Sequence, residues 1–348
     1  GRGKNPPSIS HLFSATVTGS LSFFLYNMKQ MNPKTPNRME QIIFRINRFS
    51  QKNSKAAAYI VLAIGILCLS FAPVFVREAN APGIVTSFYR MFITLILFTP
   101  ITFVSRRSVV DQTRSPNRWR FIIFPIAAGV SSAIDHSLWS IAVMKTHISN
   151  ATLLNSISPI WVSLIAIFFL HQKFNKRFWI GLTLVIAGMI VISGILNGNL
   201  SSGSMTGNIL ALISSLFYAG YFSFTELGRK HYSVFDQMWI SLFFCSLVLA
   251  IFMVLNGYPF TGYGAHTYRI FILTALICQL GGYFCLTYAL GNLPATIVSP
   301  SIEIQPILSS VLAVFFYSEP FGAEQIFGSI AILTGIYQID HSKIFEKN

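Results

Sequence analysis

Residues 303–316 read EIQPILSSVLAVFF, and residues 156–169 read SISPIWVSLIAIFF. Each stretch has a proline in fourth place, a serine four residues later and a closing pair of phenylalanines. The two copies lie 147 residues apart, and the same shift aligns Gly188 with Gly335. Glycine and proline each have a particular backbone role, so matches at these types are stronger evidence than matching leucines. The sequence therefore predicts an internal repeat.

The composition places this repeat in a membrane. The 348 residues are 53% hydrophobic and 10% charged, whereas soluble domains are about 25% charged. Ten apolar runs are each long enough to cross a hydrocarbon core about 30 Å thick as a helix. Lipid offers no partner to backbone polar groups, so continuous runs of this kind predict helices. The predicted spans are 56–76, 84–104, 121–143, 149–170, 178–196, 208–228, 237–255, 268–290, 296–317 and 324–339.

The net charge of +14 is distributed unevenly along the chain. If both termini are cytoplasmic, all but four of the 25 Lys and Arg residues fall in cytoplasmic segments. This asymmetry is the positive-inside pattern of multi-pass membrane proteins, and it explains the charge without a nucleic-acid partner. We expect a protein of the plasma membrane, or of the bacterial inner membrane if the source is prokaryotic, surrounded by the lipid bilayer.

The predicted organisation has four parts. A largely disordered or amphipathic cytoplasmic segment at 1–55 precedes a first five-helix repeat at 56–196 and a second at 207–339, and 340–348 form a cytoplasmic tail. Met31 is a candidate start, so the residues before it are a candidate non-native extension. The oligomeric state is left open, with a homodimer as one arrangement.

Five spans in each repeat have a consequence for orientation. Because five is odd, the second repeat must enter the membrane upside down relative to the first. Inverted repeats of this kind recur in secondary transporters, where the substrate site lies near the midplane between the halves. We therefore predict an all-α membrane protein with ten transmembrane helices arranged as two inverted five-helix repeats.

Several motifs in these spans resemble the EamA-like family of the drug/metabolite transporter superfamily. They are FYR ending at Arg90, HSLWSIAV around Trp139, NATLLNSISPIWVSLIAIFF at 150–169, and LPATIVSPSIEIQPILSSVLAVFFYSEPFGAEQIFGSIAILTGIY at 293–337. The resemblance covers about 56–339 and implies a ten-helix transporter that moves small metabolites, often outward. One departure is Gln172, which stands where the family usually has a glutamate closing the fourth span.

Ionisable residues are costly inside a span, so each needs a partner or a function. Glu303 lies about two turns into span 9, with Ser299, Pro306 and Ser310 on its helical face. Pro306 lacks a backbone donor and frees the carbonyl of Ile302, which makes a polar notch beside the carboxyl. Glu303 is therefore a candidate for binding substrate or a proton. The alternative is a buried structural acid that bonds to a neighbouring helix.

Asp135 and His136 lie near the middle of span 3. A carboxylate beside a residue that titrates near neutrality is suited to carrying protons. Trp139 shares a face with Asp135 and is suited to stacking on a flat or cationic substrate. Neighbouring residues diverge by about 100° on a helix, so Asp135 and His136 do not both face the cavity centre, and a structural histidine is the alternative. The candidates for proton coupling are Glu303, Asp135 and His136.

Other polar residues extend this set. Arg90, near the outer end of span 2, is suited to pairing with Asp135, to holding a carboxylate or phosphate, or to tethering a helix. Glu226 is expected to reach water at the cytoplasmic end of span 6. Uncharged polar side chains also fall inside spans. The predicted substrate-binding set is Glu303, Asp135, Trp139, Asn155, Tyr218, Tyr221, Gln279, Tyr283 and Arg90.

These expectations describe a secondary transporter that works by alternating access about a midplane cavity. The more specific prediction is an exporter of small metabolites such as amino acids. The chain has no GxxxxGK[ST] motif, which argues against an ATP-driven pump. The alternatives are a membrane-embedded enzyme or a pore with Asp135, His136 and Glu303 as its polar site. We expect no enzyme, cofactor or metal, since no catalytic motif is found and the four cysteines, all within spans, are typical of buried apolar positions.

Overall fold

The structure is a computed structural model that describes residues 54–108, 118–146, 148–192, 204–317, 322–342 and 344–345. The described chain is a bundle of membrane-type helices, so the predicted class of all-α membrane protein is confirmed. The predicted N-terminal segment lies outside the described residues, apart from its last two. Many large apolar side chains face outward, among them Ile60, Leu255 and Phe315, the last 80% exposed. Such a surface suits lipid and not water.

The first half of the described chain holds seven α-helices. Its elements are α1 (Ser54–Ser70), α2 (Ala72–Glu78), α3 (Gly83–Ser108), a 3₁₀ turn (Arg118–Phe121), α4 (Ile123–Lys145), α5 (Ile148–Asn155), α6 (Ser158–Phe168), β1 (Lys173–Phe174) and α7 (Lys176–Ile192).

The second half of the described chain holds seven α-helices and a π-helical segment within the eighth predicted span. Its elements are α8 (Met205–Arg229), α9 (Val234–Leu255), α10 (Ala265–Thr274), the π segment (Ala275–Tyr283), α11 (Phe284–Ala289), α12 (Ala295–Ile302), α13 (Gln305–Tyr317), α14 (Ala323–Asp340) and β2 (Ile344–Phe345). The two short strands pair antiparallel, with Lys173 opposite Phe345.

Eight segments are long and apolar enough to cross a membrane. They are Lys55–Val76, Gly83–Thr102, Trp119–Lys145, Ala151–Phe168, Met205–Arg229, Val234–Leu255, Ala265–Ala289 and Ala295–Phe316. These match predicted spans 1 to 4 and 6 to 9. The fifth and tenth predicted spans are also helical. They correspond to α7, with 17 described residues, and to α14, with 18. Compared with the other eight segments, α7 is shorter and α14 is more polar.

Predicted spans 4 and 9 are both interrupted. The helix stops at Asn155 and resumes at Ser158, and it stops again at Ile302 and resumes at Gln305. A proline follows each break at the second position of the new helix, where its missing N–H costs nothing. The expectation that Glu303 shares one continuous helical face with Ser299, Pro306 and Ser310 was therefore wrong, because Glu303 lies in the break.

The helices α7 and α14 pack through glycines. A Cβ on Gly181 would lie 2.6 Å from the Gly335 carbonyl oxygen, and a Cβ on Gly188 would lie 2.6 Å from that of Gly328. The contact points ascend along α7 while they descend along α14, so the two helices run antiparallel. Only residues without a side chain allow backbones to approach this closely.

The remaining helix contacts form a network. α4 packs against α8 and α9, and α1 packs against the π segment, α11 and α13. α3 packs against α9 and the π segment, while α5 and α6 pack against α8, and α6 also against α12. These contacts bring α4, α8, the π segment and the α12–α13 break around the centre of the bundle, where the polar residues lie.

Candidate functional site

A hydrogen-bonded cluster surrounds Asp135, which is only 5% exposed on α4. Ser214 Oγ on α8 donates to Asp135 Oδ1 at 2.5 Å, and Asn155 Nδ2 at the end of α5 donates to the same oxygen at 3.0 Å. Asn155 Nδ2 also lies 2.9 Å from Ser214 Oγ. A buried carboxyl needs such partners, and here they come from two other helices.

Arg90 and His136 extend this cluster toward α3. Arg90 Nη2 lies 2.8 Å from His136 Nε2. A guanidinium can only donate, so Nε2 accepts and the ring proton belongs on Nδ1, which lies 3.9 Å from Asp135 Oδ2. Arg90 therefore bonds to His136 and not directly to Asp135, although direct pairing was one of the expected roles. Its Cζ also lies 5.7 Å from the centre of the Tyr283 ring.

Glu303 is the second buried carboxyl, with 4% of its surface exposed. It occupies the break between α12 and α13, and the Ser156 hydroxyl, in the break between α5 and α6, hydrogen-bonds to it. Gln305 Nε2 and Ser309 Oγ donate to the carbonyls of Leu69 and Ser70 on α1, at 3.2 and 2.9 Å. These bonds hold the start of α13 against α1. The low exposure of Glu303 shows that its carboxyl lies inside the protein.

Tyrosines lie between the two acids. Tyr218 on α8 is within electrostatic reach of both the Asp135 and the Glu303 carboxyls, and it hydrogen-bonds to Tyr283. The ring centres of Tyr221 and Tyr283 lie 5.7 Å apart in an edge-to-face arrangement. The aromatic groups therefore connect the cluster around Asp135 with the break that holds Glu303.

A pocket opens beside these tyrosines. Its wall includes three of the predicted residues, Tyr221, Gln279 and Tyr283. The other predicted residues lie elsewhere: some belong to the Asp135 cluster or adjoin Glu303, and Trp139 is half-buried outside the pocket wall. The residues that line the pocket are Met91, Gly129, Ser132, Tyr221, Thr225, Gln237, Met238, Ser241, Leu242, Cys245, Gln279, Tyr283 and Thr287.

One polar face of α9 was not predicted from the sequence. Gln237, Ser241 and Cys245 all line the pocket, and their spacing of four residues places them on one side of a helix. The stripe was visible in the sequence, but Gln237 is the first residue of its predicted span, where a polar residue is unremarkable. Its complete burial could not be read from the sequence.

The prediction that Glu226 reaches water was wrong. It is 8% exposed, and its Oε2 accepts a hydrogen bond of 2.8 Å from the backbone N–H of Ala295. Its other oxygen lies 3.8 Å from Lys230 Nζ. The carboxylate thus caps the start of α12 from a neighbouring helix, because the first N–H groups of a helix have no partner of their own.

The described part of the chain contains no group of three or more His, Cys, Asp or Glu placed to hold an ion. The four cysteines are free, two buried and two half-buried.

A helical membrane bundle with buried acids between its helices fits a carrier of small molecules. A model of the EamA-like transporter family matches residues 56–194 and 205–339. The chain belongs to this family, which is a family of transporters, and the resemblance seen in the sequence is confirmed.

Named relatives are distant but cover most of the chain. The pseudopaline exporter CntI of Pseudomonas aeruginosa is 23% identical over 77% of this chain and 90% of its own length. The S-adenosylmethionine uptake transporter of Rickettsia felis is 20% identical over 74% of this chain and 82% of its own length. A solved structure described only as a crystal structure of a protein has a TM-score of 0.67 and 13% identity, covering 81% of this chain and 96% of its own, and it supports the fold alone.

Proposed function

We propose that the protein is a secondary transporter that exports small metabolites such as amino acids or related compounds. Its ten helices form two inverted five-helix repeats that rock about the central polar region. The Glu303 carboxyl carries this proposal, because it is a buried ionisable group in a helix break and bonds across the two halves to Ser156. A group in that position meets cargo or a proton each time the halves separate.

The inverted arrangement is supported by the pattern of helix contacts. The predicted spans can be numbered 1 to 10, and each span in one half can be exchanged with the span five places away in the other half. This exchange turns the contact between spans 3 and 6 into 8–1, the contact 3–7 into 8–2, and the contact 4–6 into 9–1, and all of these contacts are observed. The contacts 2–7, 4–9 and 5–10 map onto themselves. A two-fold axis in the membrane plane generates this relation, and the antiparallel crossing of α7 and α14 agrees with it.

Polar residues are assigned roles on this basis. Glu303, Asp135 and His136 carry the proton, while Arg90, Asn155, Tyr218, Tyr221, Gln279, Tyr283 and Trp139 contact the cargo as the halves move. The charge distribution along the sequence supports a topology with both termini in the cytoplasm. Relatives that are named for uptake and for export show that direction varies within the family, so direction has to be measured for this chain. A homodimer remains compatible with the proposal.

The test is flux through the protein reconstituted in vesicles. Amino acids, amines, nucleosides and sugars are screened with and without an imposed pH gradient, on protein inserted in either orientation. For a transported compound, Glu303→Gln is expected to abolish the response to the gradient while exchange of labelled for unlabelled substrate continues. The control is Glu324→Gln, which removes a carboxylate at the start of α14. Gradient-driven flux that survives in Glu303→Gln would contradict the assignment of Glu303.

A further inference from the structure

Gln237 is buried without any hydrogen bond from its side chain. Its exposure is 0%, and neither Oε1 nor Nε2 has a partner among the described residues. A Cβ on Gly228 would lie 2.1 Å from Oε1, so the absence of a side chain at Gly228 leaves room for this carboxamide. Burying an unpaired amide is costly, and native proteins seldom accept that cost without a reason.

Gln279 faces the same pocket from another helix. It is 4% exposed, and its Oε1 also lacks a partner within the described ranges. It lies in the middle of the π segment, which interrupts the regular hydrogen bonding of an α-helix. Such π-helical turns occur frequently at functional sites. Two carboxamides with unused hydrogen-bonding capacity therefore line one pocket, from α9 and from the π segment.

The pocket wall is polar but uncharged. Its lining residues include no Asp, Glu, Lys, Arg or His. Hydroxyl groups, from Ser132 and Tyr221 for example, and apolar side chains such as Met91 supply the rest of the surface. A charged group placed here would lose its hydration without gaining a counter-charge from the wall. An uncharged group that both donates and accepts hydrogen bonds would satisfy the free carboxamide atoms.

We propose that this pocket is a binding subsite for a planar, uncharged group with one donor edge and one acceptor edge, such as a carboxamide, a urea or a lactam. Gln237 and Gln279 bind that group, and the wall residues Tyr221, Tyr283, Met91 and Met238 contact the rest of the molecule. The inference rests on the proposed function in one respect, namely that the bound molecule is the transported cargo. Neither Asp135 nor Glu303 is part of the pocket wall.

Binding of three ring compounds of matched size tests this assignment. Nicotinamide carries a carboxamide, nicotinate a carboxylate and 3-picolylamine an ammonium on the same ring. Each is titrated calorimetrically into the full-length protein in lipid nanodiscs at neutral pH. Nicotinamide is expected to bind at least about tenfold more tightly than either charged analogue, since a charge would be buried without a partner. Equal or tighter binding of nicotinate would overturn the proposal and assign the site to the Arg90 guanidinium instead.

Variants then test the two carboxamides. Gln237→Leu and Gln279→Leu are each expected to weaken nicotinamide binding roughly tenfold. The control is Gln338→Leu, because Gln338 Oε1 accepts from Arg177 Nε at 2.7 Å and lies outside the pocket; binding is expected to stay unchanged. Thermal melting distinguishes a role of Gln237 in binding from a role in stability. The ligand-free Gln237→Leu protein should melt no lower than wild type, because the substitution removes an unsatisfied amide. A lower melting temperature together with unchanged nicotinamide binding would overturn the proposal.

A second variant keeps the test decisive if Gln237→Leu fails to fold. Gln237→Glu supplies a carboxylate of nearly the same shape and is expected to shift preference toward 3-picolylamine. No shift in preference would remove Gln237 from the site. The binding result and the flux result can be separated. If nicotinamide binds but no compound is transported, the subsite stands and the transporter assignment fails. If compounds are transported and neither glutamine substitution affects that transport, the transporter assignment stands and the subsite fails.

Discussion

The Gly181 and Gly335 backbones approach each other reciprocally: a Cβ added to either residue would lie 2.6 Å from the carbonyl oxygen of the other. The contact joins the last helix of each half, so it is one of the points at which the halves hold together. Distances this short leave no room for a methyl group without movement of a backbone.

Gly181→Ala is therefore expected to lower the free energy of unfolding by about 1–3 kcal/mol, the usual cost of overpacking. Unfolding in mixed detergent micelles measures the change. Gly264→Ala is the matched control, because a Cβ there would meet no atom within 4 Å and the backbone φ of −66° suits alanine. Equal stability of the two variants would show that the helix pair can separate without loss.

Asp135 and Arg90 form a second testable pair, which acts through His136. Asp135→Asn preserves the hydrogen bonds to Asn155 and Ser214 but removes the negative charge. The Arg90 guanidinium is then buried without a counter-charge, and we expect a loss of about 3 kcal/mol in the free energy of unfolding. Arg90→Met in the Asp135→Asn background should restore most of that loss. Strictly additive effects in this double-mutant cycle would show that the two charges are independent.

The bond between Ser156 and Glu303 predicts the result of a swap. Ser156→Glu alone places two carboxyls side by side, which like-charge repulsion disfavours, and transport should fall. Adding Glu303→Ser moves the single acid to the other half and should recover much of the flux if the two positions are related by symmetry. Flux that is lower in the double variant than in Ser156→Glu would contradict the relation.

The cap that Glu226 provides predicts a local effect. Glu226→Gln weakens a charge-assisted hydrogen bond to the Ala295 N–H, so α12 should lose about 1 kcal/mol at its start. Hydrogen exchange of the first turn of α12 measures this as faster exchange confined to that turn. Lys230→Met is the comparison, since its exposed ammonium contributes little. Unchanged exchange in Glu226→Gln would show that other donors hold the helix.

Periodic features were predictable from the sequence, and tertiary partners were not. The matching prolines at Pro159 and Pro306 indicated the repeat. Hydropathy predicted ten spans, and eight of them are long and apolar enough among the described residues to cross a membrane. Both features are properties of a local stretch. The helix breaks were not foreseen as breaks, although a proline one position into each new helix is consistent with them.

The partners of the polar residues also could not be predicted from the sequence. Asp135, Asn155 and Arg90 were chosen for their position in a span, but the bridging place of His136 depends on how three helices meet. Glu226 was expected to reach water, and it is buried because α12 begins beside it. Gln237 was missed because distance from a span end does not reveal which helix covers a side chain.

The unequal pair at Ser156 and Glu303 also bears on ancestry. Two separate copies of one five-helix unit, assembled as an antiparallel pair about a two-fold axis, would carry identical residues at both positions: two serines or two adjoining glutamates. Joining the copies by gene duplication and fusion lets one position mutate without the other. We therefore expect half-length relatives that assemble as antiparallel pairs to lack an acid here, which would date this glutamate to a time after the fusion.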